Sequence, residues 1–240
     1  MRAWRRNEGM RDGAARRVSR KEDIRSRIRL KILTGAIAPG SPIDEEALAE
    51  EFGVSRTPIR EICAHLVAEG SADHQRGRGA CAPSVTPDGI DAFFEAAGTA
   101  YPALFSLIVS RIDAFDLAHL RGLVQAAIAV TEHGPLEMRA ARYLDVMEGA
   151  AQMARNSFLA RGNSQLMREE CRIAVSVSRL RGGEHPLPDP LDLLVSSCSQ
   201  VVAMLERRDL DGLLNVLESR LRRSRSLHDR LIRLGPLGGS

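Results

Sequence analysis

A chain of 240 residues, 44% hydrophobic and 27% charged, is long enough for two modest cores, and a formal charge of +3 is too small to make its whole body a polycation. No run of about 18 apolar residues is apparent to span a membrane, and the N-terminus lacks the apolar stretch of an export signal, so a cytoplasmic protein is expected. Four cysteines, Cys63, Cys81, Cys171 and Cys198, have no paired metal-ligand spacing and read as buried free thiols.

Residues 1–21 carry eight Arg or Lys against Glu8 and Asp12 and read as a disordered basic arm. Without it the chain holds 26 basic and 29 acidic residues, so the positive sign belongs to the arm. The arm is a phosphate-attracting tail, a merely solvated one, or an over-extended start before Met10. Ile24, Ile28 and Leu33 then space a first helix that Gly35 ends, and Ala38-Pro39-Gly40 turns the chain. Asp44 to Phe52 has the acidic start and the Leu48/Phe52 spacing of a second helix, closed by Gly53. Three residues later, Thr57 is placed to cap a third helix, with Pro58 at its first position. Ile59, Ile62, Cys63, Leu66 and Val67 make one apolar stripe of that helix, and Arg56, Thr57 and Arg60 fall on the other face. This is the arrangement of a recognition helix, since the planar fork of arginine donates twice to guanine O6 and N7. After Gly70 comes a short basic turn, Arg76-Gly77-Arg78-Gly79, bounded by Pro83 and Pro87. Three helices followed by a basic hairpin describe a winged helix over residues 22–86.

These residues resemble the signature of the GntR family of bacterial transcription regulators. The match is carried by Gly35, Pro39-Gly40, Leu48-Ala49, the run Val54 to Glu61 (VSRTPIRE), Leu66 and Glu69-Gly70. The resemblance implies that Ser55, Arg56, Thr57 and Arg60, with Arg76, Gly77 and Arg78 at the wing tip, grip a DNA operator. Ser71 and Ala72 stand where the family has an apolar pair, so the first wing strand is expected to be weakly held and the wing mobile.

From residue 87 to 240 nearly every segment has helical period, and alternating strand patterns are missing. Successive apolar groups run Ile90 to Ala97, Leu104 to Ile112 and Leu117 to Ile128. Further helices are expected over Met138 to Arg155, Ser164 to Arg181, Leu191 to Arg207 and Leu210 to Leu234. The fold class is therefore mostly α, a winged helix-turn-helix followed by an all-helical bundle. The bundle resembles the effector domain of the FadR subgroup, in which an aspartate and three histidines hold a divalent metal near a carboxylate ligand. That set is degenerate here: Asp145 keeps the aspartate, Glu148 and Gly149 replace a Phe-His pair, and Cys198 and Arg220 fall on two histidine positions. Ala97 and Tyr101 also replace an arginine and a glutamate of the family's first bundle helix. No metal and no cofactor are expected. Arg220 can supply in the bundle the positive charge of the missing metal and clamp an effector carboxylate, with Asp145, Glu148 and Cys198 around it. It can equally pair with Asp145 or Glu148, or face solvent with Arg222, Arg223 and Arg225. His119, His133, His185 and His228 read as solvated residues near helix ends or loops.

The expected function is a sequence-specific DNA-binding transcription regulator, a repressor, whose affinity for a palindromic operator responds to a small-molecule effector. One short helix reads few base pairs, so a homodimer is expected. The alternative is an effector-independent or architectural DNA-binding protein. A third reading, a small-molecule-binding or enzymatic protein whose winged helix contacts other proteins, lacks a clustered nucleophile, base and orienting group.

Overall fold

The computed structural model describes residues 20–131, 134–181 and 188–232. The basic arm before residue 20, His133 and His185 lie outside them. The chain divides into two compact units, one ending at Pro83 and the other beginning at Ser84, with residues 33–36 counted to the second.

The N-terminal unit is built from helix α1 (residues 20–33), α2 (Glu45–Phe52), α3 (Arg56–Ala68) and the strands β1 (Asp73–Gln75) and β2 (Gly79–Cys81). Arg20 and Lys21, assigned by sequence to the arm, are helical: Arg20 donates to the carbonyl of Phe52 at 3.1 Å and Lys21 pairs with Glu61. Ile24, Ile28, Ile32, Leu48, Phe52, Ile59, Ile62 and Leu66 form one core that fastens the three helices together. Asp44 caps α2, its Oδ1 accepting from the N–H groups of Glu46 and Ala47 at 3.0 Å each. Gly53 ends α2 in the left-handed region, at φ 60°, as its missing Cβ permits.

The start of α3 differs from the sequence expectation. The cap position is Ser55, whose hydroxyl makes no capping bond, and helical geometry begins at Arg56. Thr57 is therefore inside the first turn and is not the cap. Pro58 sits at the third helical position rather than the first. The shift costs nothing, because the first four N–H groups of a helix have no intrahelical acceptor, and it leaves the Thr57 hydroxyl on the exposed face.

β1 and β2 pair antiparallel, Asp73 opposite Cys81 and Gln75 opposite Gly79. Ser71 and Ala72, the small residues at the entry to the wing, are buried, and both of their N–H groups bond the carbonyl of Leu66, at 2.8 and 3.1 Å. The Ser71 hydroxyl also donates to Glu69, which Arg29 holds through two bonds of 2.8 and 3.0 Å. The wing entry is thus tied to the end of α3 by polar contacts, where the absence of the family's apolar pair led to the expectation of a weakly held strand. β2 is fixed to the segment before α2, with Ile43 N–H donating to the Ala80 carbonyl at 2.9 Å.

The second unit is helical among its described residues: α4 (Pro87–Arg111), α5 (Ala114–Thr131), α6 (Leu136–Met153), α7 (Ser157–Arg181), α8 (Pro190–Arg207) and α9 (Leu210–Ile232). The apolar groups Ile90 to Ala97 and Leu104 to Ile112 run along one long helix, α4, with Pro102 inside it. α4 corrects the expectation about apolar runs, since it is long and apolar enough to cross a membrane. Its apolar positions Phe93, Phe94, Leu104, Phe105 and Ile108 are buried against the other helices of the unit. α7 begins at Ser157, seven residues before the sequence expectation, because Asn156 Oδ1 accepts from the N–H groups of Phe158 and Leu159 and starts the helix there.

Two arginines with positive φ close the corner between α4 and α5. Arg208, at φ 53° after α8, donates to the carbonyls of Val109 and Ile112 at 2.9 and 2.7 Å. Arg155, at φ 47° after α6, donates to the carbonyl of Arg111 and pairs with Asp113 and Asp116.

These caps separate two substitutions that look alike in sequence. Asp44→Ala removes two cap bonds and is expected to lower the stability of the N-terminal unit by about 1 kcal/mol in urea unfolding. Thr57→Ala is expected to change it by less than about 0.5 kcal/mol.

Candidate nucleic-acid interface and buried polar cluster

The first turn of α3 presents Ser55, Arg56, Thr57 and Arg60 on one exposed face, because Ile59, Ile62, Cys63 and Leu66 turn the opposite face into the core. Both arginines are held by acids from the first turn of α2. Arg60 donates its Nε to Glu45 Oε2 at 3.2 Å, and Arg56 Nη1 lies 3.6 Å from Glu46 Oε2. The Arg60 side chain remains 71% exposed and its two terminal nitrogens are left for other acceptors. At the hairpin tip, Arg76, Gly77 and Arg78 are exposed, with Gly77 and Gly79 at φ 80° and 75°, a left-handed turn that glycine accepts without strain. A groove of about 390 Å³ separates α3 from the wing and is lined by Glu45, Arg60, Cys63, Val67, His74 and Ala80. Burial, with a smaller contribution from Glu45, raises the Cys63 thiol to about 11, so this cysteine is a packing residue.

In the helical unit the four sequence-derived effector residues do not converge. Asp145 is exposed and pairs with Arg142 at 3.1 Å, and half-exposed Glu148 lies 3.7 Å from Arg168. Cys198 and Arg220 are both buried and line one small apolar cavity of about 10 Å³ with Phe105, Val146, Met147 and Val202. Arg220 neither faces solvent nor pairs with Asp145 or Glu148. Its partner is Glu170, which sequence reasoning missed: Arg220 Nη2 donates to Glu170 Oε2 at 3.2 Å. Two more donors meet the same oxygen, the hydroxyls of Tyr101 at 3.0 Å and Tyr143 at 2.8 Å. The Arg220 guanidinium also lies 5.4 Å from the centre of the Tyr101 ring. Glu170 Oε1 and Arg220 Nε are buried without a hydrogen-bond partner.

Electrostatics in this cluster follow from burial. Desolvation, reinforced by the Glu170 carboxylate, pushes both tyrosine hydroxyls well above their usual range and keeps them protonated as donors. Burial raises the Cys198 thiol to about 12. Burial opposes the charge on Arg220, but Glu170 and the neighbouring groups outweigh it, so the guanidinium is held cationic above its ordinary value. These residues do not fit a divalent metal. A guanidinium has no lone pair to donate, Asp145 points elsewhere, and the described residues contain no group of three or more ligating side chains.

His228, read from sequence as solvated, is buried in α9 against the edge of Phe94, 5.8 Å between ring centres. Its Nδ1 lies 2.6 Å from the Ser224 carbonyl, and burial lowers its pKa despite that bond and the nearby Asp229 and Glu170.

Residues 20–81 match the family described as bacterial regulatory proteins of the gntR family, so the N-terminal unit is a GntR-family helix-turn-helix domain. Over 50 residues the chain is 44% identical to an uncharacterised HTH-type transcriptional regulator in an unstable DNA locus of Streptomyces ambofaciens, a stretch that is 21% of each protein. Two solved structures share the fold over most of the chain. McbR/YncC of E. coli has a TM-score of 0.71 at 18% identity, covering 88% of this chain and 97% of that one. A candidate GntR transcriptional regulator from Rhodococcus sp. RHA1 has a TM-score of 0.64 at 15% identity, covering 90% and 99%. The matching family and the Streptomyces relative are both described as regulators.

Two stability measurements test the cluster. Arg220→Ala leaves a buried carboxylate uncompensated and is expected to cost about 3–5 kcal/mol, whereas Glu170→Gln combined with Arg220→Met costs much less, because no net charge stays buried. His228 supplies a pH dependence: its folded pKa is depressed, so the unfolded chain binds the proton first and stability falls as pH drops through the unfolded value near 6.5. His228→Gln is expected to flatten that slope in urea titrations between about pH 7 and 5.5.

Proposed function

We propose that the chain is a sequence-specific DNA-binding transcription regulator of the GntR family, acting in the cytoplasm as a homodimeric repressor on a palindromic operator. The observation that carries this reading is the exposed face of α3, where Arg56, Thr57 and Arg60 project from the first helical turn of a GntR-family domain. In this reading α3 enters the major groove, where Arg60 reads a guanine, and Arg76, Gly77 and Arg78 approach the phosphates beside it. Two copies related by a two-fold axis read half-sites about ten base pairs apart.

Whether a small molecule modulates the operator affinity turns on the helical unit. An effector must bind one placement of the two reading heads better than another, since only differential affinity shifts an equilibrium. A crevice of about 70 Å³ between α8 and α9, lined by Ser196, Ser197, Gln200, Arg220, Arg223 and Ser224, offers room for a molecule of a few atoms. A second reading, a regulator that needs no effector, is favoured by the bond from Arg220 to Glu170, which occupies the cation that a ligand carboxylate would seek. Thermal shift with a panel of small carboxylates separates the two. In calorimetry, Arg220→Ala must abolish any carboxylate binding that depends on this clamp.

The decisive experiment is fluorescence anisotropy on a palindrome selected from random duplex, against scrambled duplex, at about 150 mM salt. A preference of several hundredfold with one dimer per site is expected. Equal, steeply salt-dependent binding to both would leave only phosphate attraction and overturn the regulator reading. Arg60→Ala is expected to lose about 1–3 kcal/mol of discrimination at one guanine per half-site, whereas Arg76→Ala weakens all duplexes alike and lowers the salt slope by about one.

A further inference from the structure

Glu170 is the meeting point of four helices, and the geometry around it is that of a carboxylate receptor. Donors arrive from three directions: Tyr101 on α4, Tyr143 on α6 and Arg220 on α9, at 3.0, 2.8 and 3.2 Å from one oxygen. All four side chains are buried, both tyrosines completely. A guanidinium with two hydroxyl donors is how proteins bind a small organic acid, because charge and directed N–H and O–H groups replace the water the acid gives up. Here the acid is tethered to α7. Beside Arg220 lies a small apolar cavity, lined by Phe105, Met147 and Val202 among others, with space for about a single water.

We propose that the helical unit contains a binding site for a short-chain carboxylate that the chain fills with its own Glu170 side chain. Glu170 then acts as a built-in ligand, holding α4, α6, α7 and α9 in the arrangement that a free carboxylate would otherwise stabilise. A free carboxylate must displace this tethered one, whose local concentration no solute matches. The site is therefore closed to carboxylates in the native chain and opens when the tethered group is removed. This inference concerns the helical unit alone and does not depend on DNA binding.

The substitution Glu170→Ala deletes one methylene and one carboxylate, the heavy atoms of an acetate ion, and leaves the three donors in place. Thermal unfolding of the native chain, E170A and the double variant E170A/R220M is followed in sodium acetate and in sodium chloride of equal ionic strength near pH 7. E170A is expected to melt below the native chain and to recover about 3 °C or more, saturably, in acetate but not in chloride. The native chain and the double variant should show no difference between the two salts. Acetate acting on E170A no better than chloride, or acting equally on all three proteins, would overturn the proposal. If E170A does not fold in buffer, its recovery from urea is measured in each salt. Folding that depends on acetate supports the site, and failure to refold in both salts rejects it.

Discussion

A carboxylate removed from water keeps its charge only if donors replace its hydration, and the helical unit is organised around one such replacement. Glu170 on α7 is satisfied from α4, α6 and α9 at a single oxygen, so no one of these helices can slide without unmaking a bond to a buried charge. Apolar contacts tolerate small shifts, whereas hydrogen bonds of about 3 Å do not. The cluster thus ties the register of four helices whose apolar faces are rich in leucine, valine and alanine to one set of directed bonds. It also fixes the electrostatic character of the interior, where a cation and an anion are both committed to each other.

The N-terminal unit solves a different problem, that of showing polar groups to solvent on a rigid frame. Its core clamps α3 through Ile59, Ile62 and Leu66, each with no exposed surface, so the first turn of that helix cannot rotate. The arginines on that turn are partly neutralised by Glu45 and Glu46, which stand in the first turn of α2, a turn fastened by the Asp44 cap at the N–H groups of Glu46 and Ala47. Side chains as long as arginine are thereby given a preferred direction before any partner arrives, which reduces the entropy lost on contact. Glu69 performs the same service for the wing, joining Arg29 of α1 to Ser71.

Much of this was legible in the residues. Periodicity and glycine punctuation located α1 to α3, the basic hairpin and a helical remainder, because local signals and tertiary packing agree there. The α3 cap was misplaced because both Ser55 and Thr57 are residues that cap helices, and only the backbone dihedrals separate them. The buried cluster was harder to see. Glu170 lies in the run Arg168-Glu169-Glu170, which reads as a solvated charge patch, and its partners are 27 to 69 residues away in sequence. A signal was nonetheless present: Met167, Cys171 and Ala174 set an apolar stripe on α7, and residue 170 falls beside it. Tyr101 and Tyr143, the chain's two tyrosines, also sit on apolar stripes, where a hydroxyl demands a partner. His228 is the converse case, since a position near a helix end says nothing about what α4 lays over it.

The left-handed arginines at the α4–α5 corner reverse a familiar rule of protein engineering. A residue at φ near 50° is usually a place where glycine relieves backbone strain. Arg155 and Arg208 accept that strain and use the resulting direction of their side chains to satisfy the end of α4, through the carbonyls of Val109, Arg111 and Ile112. The last carbonyls of a helix need partners from outside it, and here the ends of α6 and α8 provide three of them. The corner is thus a joint in which one helix is capped by the exits of two others, so relaxing either exit with glycine would uncap a helix far away in sequence.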